Sequence, residues 1–336
     1  MTDLKDTRSE TVDTGSKSNR RKWIVALAVL ALVVTLPLAR FLGTYNYILQ
    51  VGIVVFMWIA LTSSWNILGG YTGYISLGHN VFFGVGAYVS GILLVYNDLS
   101  PFVTAPLAGL VALILGVLAG LITFRTKGPA FIVATIALLL VVFILMDNWE
   151  FIGASNGLSL PLPPFPVEWV KVPFYYAMLI AAILSVMLGH RVAHSKMGLA
   201  LRAIAEDETK AEVAGIHTRL FKLMAFALSA FFPGVAGAIW GYSLAYLRPT
   251  AFFLISVAAQ MVLMAIIGGR GTVAGPVVGA IFLVTLNELS ITYFGASEIN
   301  LTITGLVMVL ALLFFPLGLV GTLREKGRLP AWLDWD

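Results

Sequence analysis

Residues 198–215 read Gly198-Leu-Ala-Leu-Arg-Ala-Ile-Ala-Glu-Asp-Glu-Thr-Lys-Ala-Glu-Val-Ala-Gly215, a dense run of charge between two stretches that carry almost none. On one side residues 174–189 hold no charged side chain, and on the other residues 221–242 hold only Lys222. Apolar runs near the length that crosses a bilayer core flank it on both sides, so it is read as a connection outside the membrane, touched by water or by another protein. Its pattern predicts a helix, a break and a second helix. Asp207 is placed as N-cap of a short helix through Ala214 with Gly215 as its stop, and Leu201, Ile204 and Ala205 form an apolar patch on the turn before.

The rest of the chain fits that reading. Of 336 residues, 59% are hydrophobic and 11% charged, against roughly 25% charged in soluble domains. The fold class is therefore an all-α integral membrane protein, whose partner by composition is the lipid bilayer and not nucleic acid. Cysteine is absent, which removes disulfides and thiolate metal sites. Residues 1–22 are polar and mixed in charge and are read as a disordered tail. A tail of that length before the first apolar run argues for a retained first helix over a cleaved signal.

Since a span needs roughly 17–25 apolar residues, about ten are expected, near 23–39, 47–68, 81–96, 103–124, 130–146, 174–189, 221–242, 254–267, 275–294 and 301–319. The membrane-spanning body thus runs over 23–320, with a long loop at 190–220 and a short tail at 321–336. Basic residues test the arrangement, because they collect in cytoplasmic loops. With both termini inside, every one of the 21 Lys and Arg except Arg40, Lys171 and Arg248 falls on the cytoplasmic side. One substantial outer loop remains, 147–173, in which Pro161, Pro163, Pro164 and Pro166 predict extended, non-helical chain. It is either a receiving surface for an external partner or a solvated connector.

Two glycine-rich blocks stand between apolar runs. Gly69, Gly70, Gly73 and Gly78, with Ser76 and His79, form the first; Gly268, Gly269, Gly271 and Gly275 form the second. Both are read as broken helices, which membrane proteins tolerate only where protein or a water-filled cavity satisfies the backbone. Hinge and pathway roles stand beside plain turns for the loop glycines, while close helix packing is favoured for the small-residue faces Gly84, Gly86, Ala87 and Gly91, and Gly275, Gly279 and Ala280. Glu288 is the one carboxylate placed inside a span, where it binds an ammonium group or a partner subunit or else sits at the membrane surface. Gln50, Asn66, His79, Asn80 and Gln260 are the remaining polar candidates, for which bonding between helices is favoured over contact with a solute.

The inventory argues against enzymes. His190 and His194 share a helical face, but no Glu follows the first as a zinc-protease motif requires. No catalytic or metal-binding set emerges, and no phosphate-cradling loop of the Gly-x-x-x-x-Gly-Lys-Ser/Thr type occurs, so ATP would have to be bound by another chain. A secondary transporter would need intramembrane charges for ion coupling, and Glu288 alone is thin support.

The charged segment with Ile216, the run 220–226 and the block Ser229-Ala-Phe-Phe-Pro-Gly-Val-Ala-Gly-Ala238, together with the two glycine blocks, resembles the inner-membrane permeases of branched-chain amino acid ABC transporters, LivM type. The resemblance extends over roughly residues 46–319. It implies a permease subunit of an ATP-driven importer in the bacterial inner membrane, with relatives that carry urea, short amides or other amino acids. It further implies a second permease subunit (LivH type or a second copy), two cytoplasmic ATPase subunits binding ATP and Mg, and a periplasmic solute-binding protein. By the same resemblance Glu206, Asp207, Glu208, Ala211 and Gly215 are the residues that dock on the ATPase.

Overall fold

Helix α1, Tyr45–Thr72, passes through the middle of the protein and is buried on every side from Met57 to Gly69. In this computed structural model residues 45–295 are described without a gap, together with 31, 33–38, 298–315, 317–327, 329, 330, 333 and 335. After α1 come α2 (Asn80–Asn97), α3 (Pro101–Thr123), α4 (Pro129–Asn148) and α5 (Lys171–Ala193). Two short helices follow, α6 (Lys196–Glu206) and α7 (Glu208–Val213), and then α8 (Thr218–Leu244). The chain continues through α9 (Pro249–Phe252), α10 (Ile255–Gly269), α11 (Gly275–Phe294), α12 (Glu298–Phe314) and α13 (Gly318–Glu325).

Among the described residues eight helical segments are long and apolar enough to cross a membrane, with α9 and α10 counting as one. They match eight of the ten expected spans. The tail 1–22 and most of the expected span 23–39 lie outside the described residues. The expected last span, 301–319, is shorter than the sequence suggests: α12 has 17 residues, about 26 Å of helix. It stops two residues before Pro316, where a proline disfavours helical backbone in its predecessor. Gly318, at φ +75°, then turns the chain into α13.

Packing follows the rule for helices that gain nothing from excluding water from one another. The buried face of α3 is built from small residues, Ala105, Ala108, Gly109, Ala112, Gly116, Ala119 and Gly120, while Leu107, Leu110, Ile114, Leu118 and Ile122 point outward. Small residues let backbones approach closely. A Cβ on Gly116 would come 2.9 Å from the Ala230 Cβ of α8, and one on Gly86 of α2 would come 2.6 Å from the Gly234 Cα. Helix α8 is thereby clasped between α2 and α3. Helix α4 is peripheral, burying only Phe131, Thr135, Leu139 and Val142 on one stripe.

The chain connections sort to two ends. At one, segments 73–79, 125–128, 194–217 and 270–274 meet, all of them on the side that the expected alternation of spans places in the cytoplasm. At the other, strand Leu158–Ser159 pairs antiparallel with Tyr246–Leu247 and anchors the long 147–173 connection. No helix forms between Leu160 and Val170, as the prolines predict, although two 3-10 turns, Glu150–Ile152 and Ala154–Asn156, precede the strand.

Candidate functional site

The α6–α7 corner folds as its residues dictate. Ser195 Oγ caps α6 by accepting from the Gly198 N–H at 3.3 Å. Asp207, at φ −161°, breaks the helix, and its Oδ1 accepts from the Lys210 N–H at 3.0 Å to open α7. That backbone hydrogen bond, with the Lys210 side chain, holds the Asp207 carboxyl below its ordinary value. Gly215, at φ +87°, ends the corner in the left-handed region where a side chain would be strained. Leu201, Ile204 and Ala211 are buried beneath it, while Ala205, expected in the same patch, is exposed.

Of the five residues expected to dock on a partner, the structure divides the set. Glu206 and Gly215 are exposed and Asp207 is partly so. Glu208 and Ala211 turn inward: Ala211 is 4% exposed, and the Glu208 carboxylate is committed to the protein's own cations. Lys222 Nζ of α8 donates to Glu208 Oε1 at 2.7 Å, Lys127 Nζ from the α3–α4 turn lies 3.4 Å from the same oxygen, and the Tyr74 hydroxyl donates to Oε2. Lys222 is 2% exposed and sits 4.6 Å from the centre of the Tyr74 ring and 5.4 Å from that of Phe124. Aromatic faces stabilise a desolvated cation, and a carboxylate completes its neutralisation. Burial alone would push the Glu208 carboxyl up. Hydrogen bonds from Lys222 and Tyr74, with the charges of Lys222 and Lys127, outweigh this and hold it below its ordinary value.

Outward of this cluster the surface is mixed. Val213 is 86% exposed and Leu220 53%. Glu212, Gly215, His217, Arg219 and Leu220 are among the residues lining an open groove of about 730 Å³ at the α7–α8 turn. Thr218 Oγ1 donates to Glu212 Oε1 at 2.7 Å across that turn.

The two glycine blocks, far apart in sequence, are clamped to each other. Asn66 Nδ2 donates to the Thr272 carbonyl at 2.9 Å and its Oδ1 accepts from the Gly271 N–H at 3.0 Å. Arg270 Nε donates to the Gly69 carbonyl at 3.0 Å, satisfying an acceptor at the end of α1. Gly69 and Gly70 lie within the last turn of α1, and Gly268 and Gly269 within that of α10, so the helices run further than the glycines suggested. Between α1 and α2 only 73–79 is non-helical, entered through Gly73 at φ +80°. Side chains satisfy its backbone: Trp65 Nε1 donates to the Ser76 carbonyl at 2.9 Å, and Thr135 Oγ1 accepts from the Leu77 N–H at 3.1 Å. Gly78 lies against the Thr135 backbone, and Gly271 and Gly275 occupy the second turn and the start of α11.

Ser76 and His79 are fully buried. His79 Nε2 pairs with Ser229 Oγ of α8 at 2.8 Å, and the ring packs against Phe82 and Phe226. Asn80 Nδ2 donates to the Phe252 and Leu254 carbonyls at 3.1 and 2.9 Å. Asn66 and Asn80 thus join segments, as expected for amides in a helix bundle. Glu288 lies near the opposite end of the protein, partly exposed, and accepts from the Tyr47 hydroxyl at 2.8 Å. Among the described residues no three His, Asp or Glu side chains are grouped to hold a metal ion.

Residues 47–312 match the family described as branched-chain amino acid transport system / permease component. The chain belongs to that family. The permease is 27% identical to the high-affinity branched-chain amino acid transport system permease protein LivM of Escherichia coli over 94% of its own length and 78% of that protein's. It is 28% identical to the LivH protein of the same organism over 53% of its length and 54% of LivH's, and 26% identical to the ribose import permease protein RbsC of Haemophilus influenzae over 57% and 61%. No solved structure matches it. The family is one of transport components rather than enzymes, and the permease is a multi-pass membrane protein.

Sequence reasoning overlooked the residues that hold the permease's charged end together. Lys222 entered only as one positive charge among many, and Tyr74, Lys127 and Arg270 were given no role. A signal was available for one of them: a lysine inside an apolar run, between Phe221 and Leu223, must find an anion or leave the membrane.

Proposed function

We propose that this permease is one membrane-spanning subunit of an ATP-driven importer of branched-chain amino acids in the bacterial inner membrane, with ten spans and both termini in the cytoplasm. A periplasmic binding protein delivers the solute to the end bearing the 147–173 connection. A second permease, LivH-like or another copy of this chain, supplies the other half of the pathway. Two cytoplasmic ATPase subunits bind ATP and Mg and drive alternating access, the two glycine blocks serving as hinges or pathway elements.

The observation that carries this reading is the α6–α7 corner. It lies at the end of the bundle where the 73–79, 125–128 and 270–274 turns meet, keeps Glu206, Lys210, Val213 and Gly215 exposed, and packs on buried Leu201, Ile204 and Ala211. An element with a buried base and an outer face of mixed charge and apolar surface suits a groove on a partner. We draw the docking face on Glu206, Asp207 and Gly215, with Val213 added and Glu208 and Ala211 removed.

Co-purification with the ATPase pair tests the docking face. Glu206→Lys together with Val213→Asp is expected to abolish capture of the ATPase while leaving the permease folded; undiminished capture refutes the assignment. Uptake of labelled leucine into proteoliposomes, with unlabelled urea or ribose as competitor, tests the solute. Competition by urea or ribose at concentrations where isoleucine competes would move the solute to another branch of the family.

A further inference from the structure

Resting on the importer reading above, we infer that Glu208 is a positioning residue for energy coupling: it ties the docking corner to Lys222 of α8 and to Tyr74 of the segment leading into α2, so that displacement of α7 moves both helices.

The argument begins with what a carboxylate at this position must satisfy. Lys222 is sealed from solvent, and separating a buried ion pair leaves an uncompensated charge in a poor solvent for it. The contact therefore resists parting more strongly than an exposed pair would. An outward pull on α7 is accordingly transmitted into α8 rather than absorbed by slippage at the surface. The second oxygen of the same carboxylate receives the Tyr74 hydroxyl, and Lys222 Nζ lies 3.3 Å from that hydroxyl, so the three side chains form a closed triangle.

The two helices addressed by this triangle are also packed on each other. Gly86 of α2 lies against the Gly234 backbone of α8, and His79 at the entrance to α2 pairs with Ser229 of α8. Contacts this close leave the helices little freedom to slide independently. Tension on Glu208 thus reaches a unit that runs the length of the bundle. Helix α7 is six residues long and lies between the extended Asp207 and Gly215, and the inference places its turning points at those two residues.

The test uses the assembled complex in proteoliposomes, with ATP hydrolysis and labelled leucine uptake measured together. Glu208→Gln keeps the shape and one acceptor but removes the charge. The complex is expected to form and to hydrolyse ATP, while leucine moved per ATP falls about tenfold, a size that coupling networks can carry. Glu208→Asp, which keeps the charge on a shorter arm, is expected to recover part of it. Unchanged leucine per ATP in Glu208→Gln overturns the inference, and so does loss of ATPase capture by a folded Glu208→Gln permease, since Glu208 would then be a docking residue. Should Glu208→Gln fail to fold, Tyr74→Phe decides, because it keeps the ring under Lys222 and the Lys222–Glu208 pair and removes only the hydroxyl that joins Tyr74 to both: reduced coupling supports the inference and full coupling overturns it. Wild-type uptake that needs no ATP would instead overturn the importer reading, and this inference with it.

Discussion

Lys222 Nζ reaches Glu208 Oε1 at 2.7 Å, joining α8 to α7 at a place where the lysine is 2% exposed and the glutamate side chain 13%. Between two helices that are otherwise separated by a turn, this pair fixes the base of the charged corner. Removing one partner strands the other. Glu208→Ala is expected to cost about 3–5 kcal/mol, and Glu208→Ala with Lys222→Met to cost less than the two single changes summed. Thermal unfolding of the detergent-solubilised permease measures both.

The Asn66 amide is expected to behave as a two-point clamp. Asn66→Ala leaves the Gly271 N–H and the Thr272 carbonyl without this partner, and since both are half-buried the loss is expected to be about 1 kcal/mol for each, the low end for stranded polar groups. Asn66→Asp retains only an acceptor and is expected to restore the Gly271 bond alone. Proteolysis within 270–274 should rise in Asn66→Ala and rise less in Asn66→Asp.

Helix contact through glycine makes a sharper steric prediction. Gly86→Ala places a Cβ 2.6 Å from the Gly234 Cα, so the two backbones must separate, at about 1–3 kcal/mol. Leu110→Ala, on the half-exposed outer face of α3, should change stability by no more than about 0.5 kcal/mol. A comparable loss for both variants would show that these faces are wrongly assigned.

Acid should loosen the corner, and the sign follows from the two carboxylates. Asp207 and Glu208 both have folded values below their ordinary 3.8 and 4.5. Each therefore stabilises the folded corner fully above those values, and the contribution is lost as pH falls through the lower folded ones. Hydrogen exchange of the α7 amides, corrected for intrinsic rate, is expected to be flat from neutral pH to about pH 5 and to accelerate below about pH 4. Asp207→Asn, which retains a capping oxygen without the charge, should shrink the acid response.

The sequence by itself determined the membrane class, the family and the local form of the corner down to its cap and its stop. Each of these depends on composition or on neighbours within a few residues: an apolar run must leave water, Asp207 can reach the next turn, and Gly215 can adopt a positive φ. Even the ends of spans were legible to within a few residues, except where Gly69, Gly70, Gly268 and Gly269 read as breaks and proved helical. Glycine within a packed helix and glycine in a turn look alike until the neighbour is known.

Only the tertiary structure decided which charges face inward. From its neighbours Glu208 is indistinguishable from Glu206, both being acidic residues at one helical break. What separates them is the arrival, from elsewhere in the chain, of Lys222, Lys127 and Tyr74 at the Glu208 carboxylate. The same holds for the meeting of Asn66 with Gly271 across 205 residues. A buried charge or amide is governed by the partner that pairs with it, and the partner's position is a property of the fold.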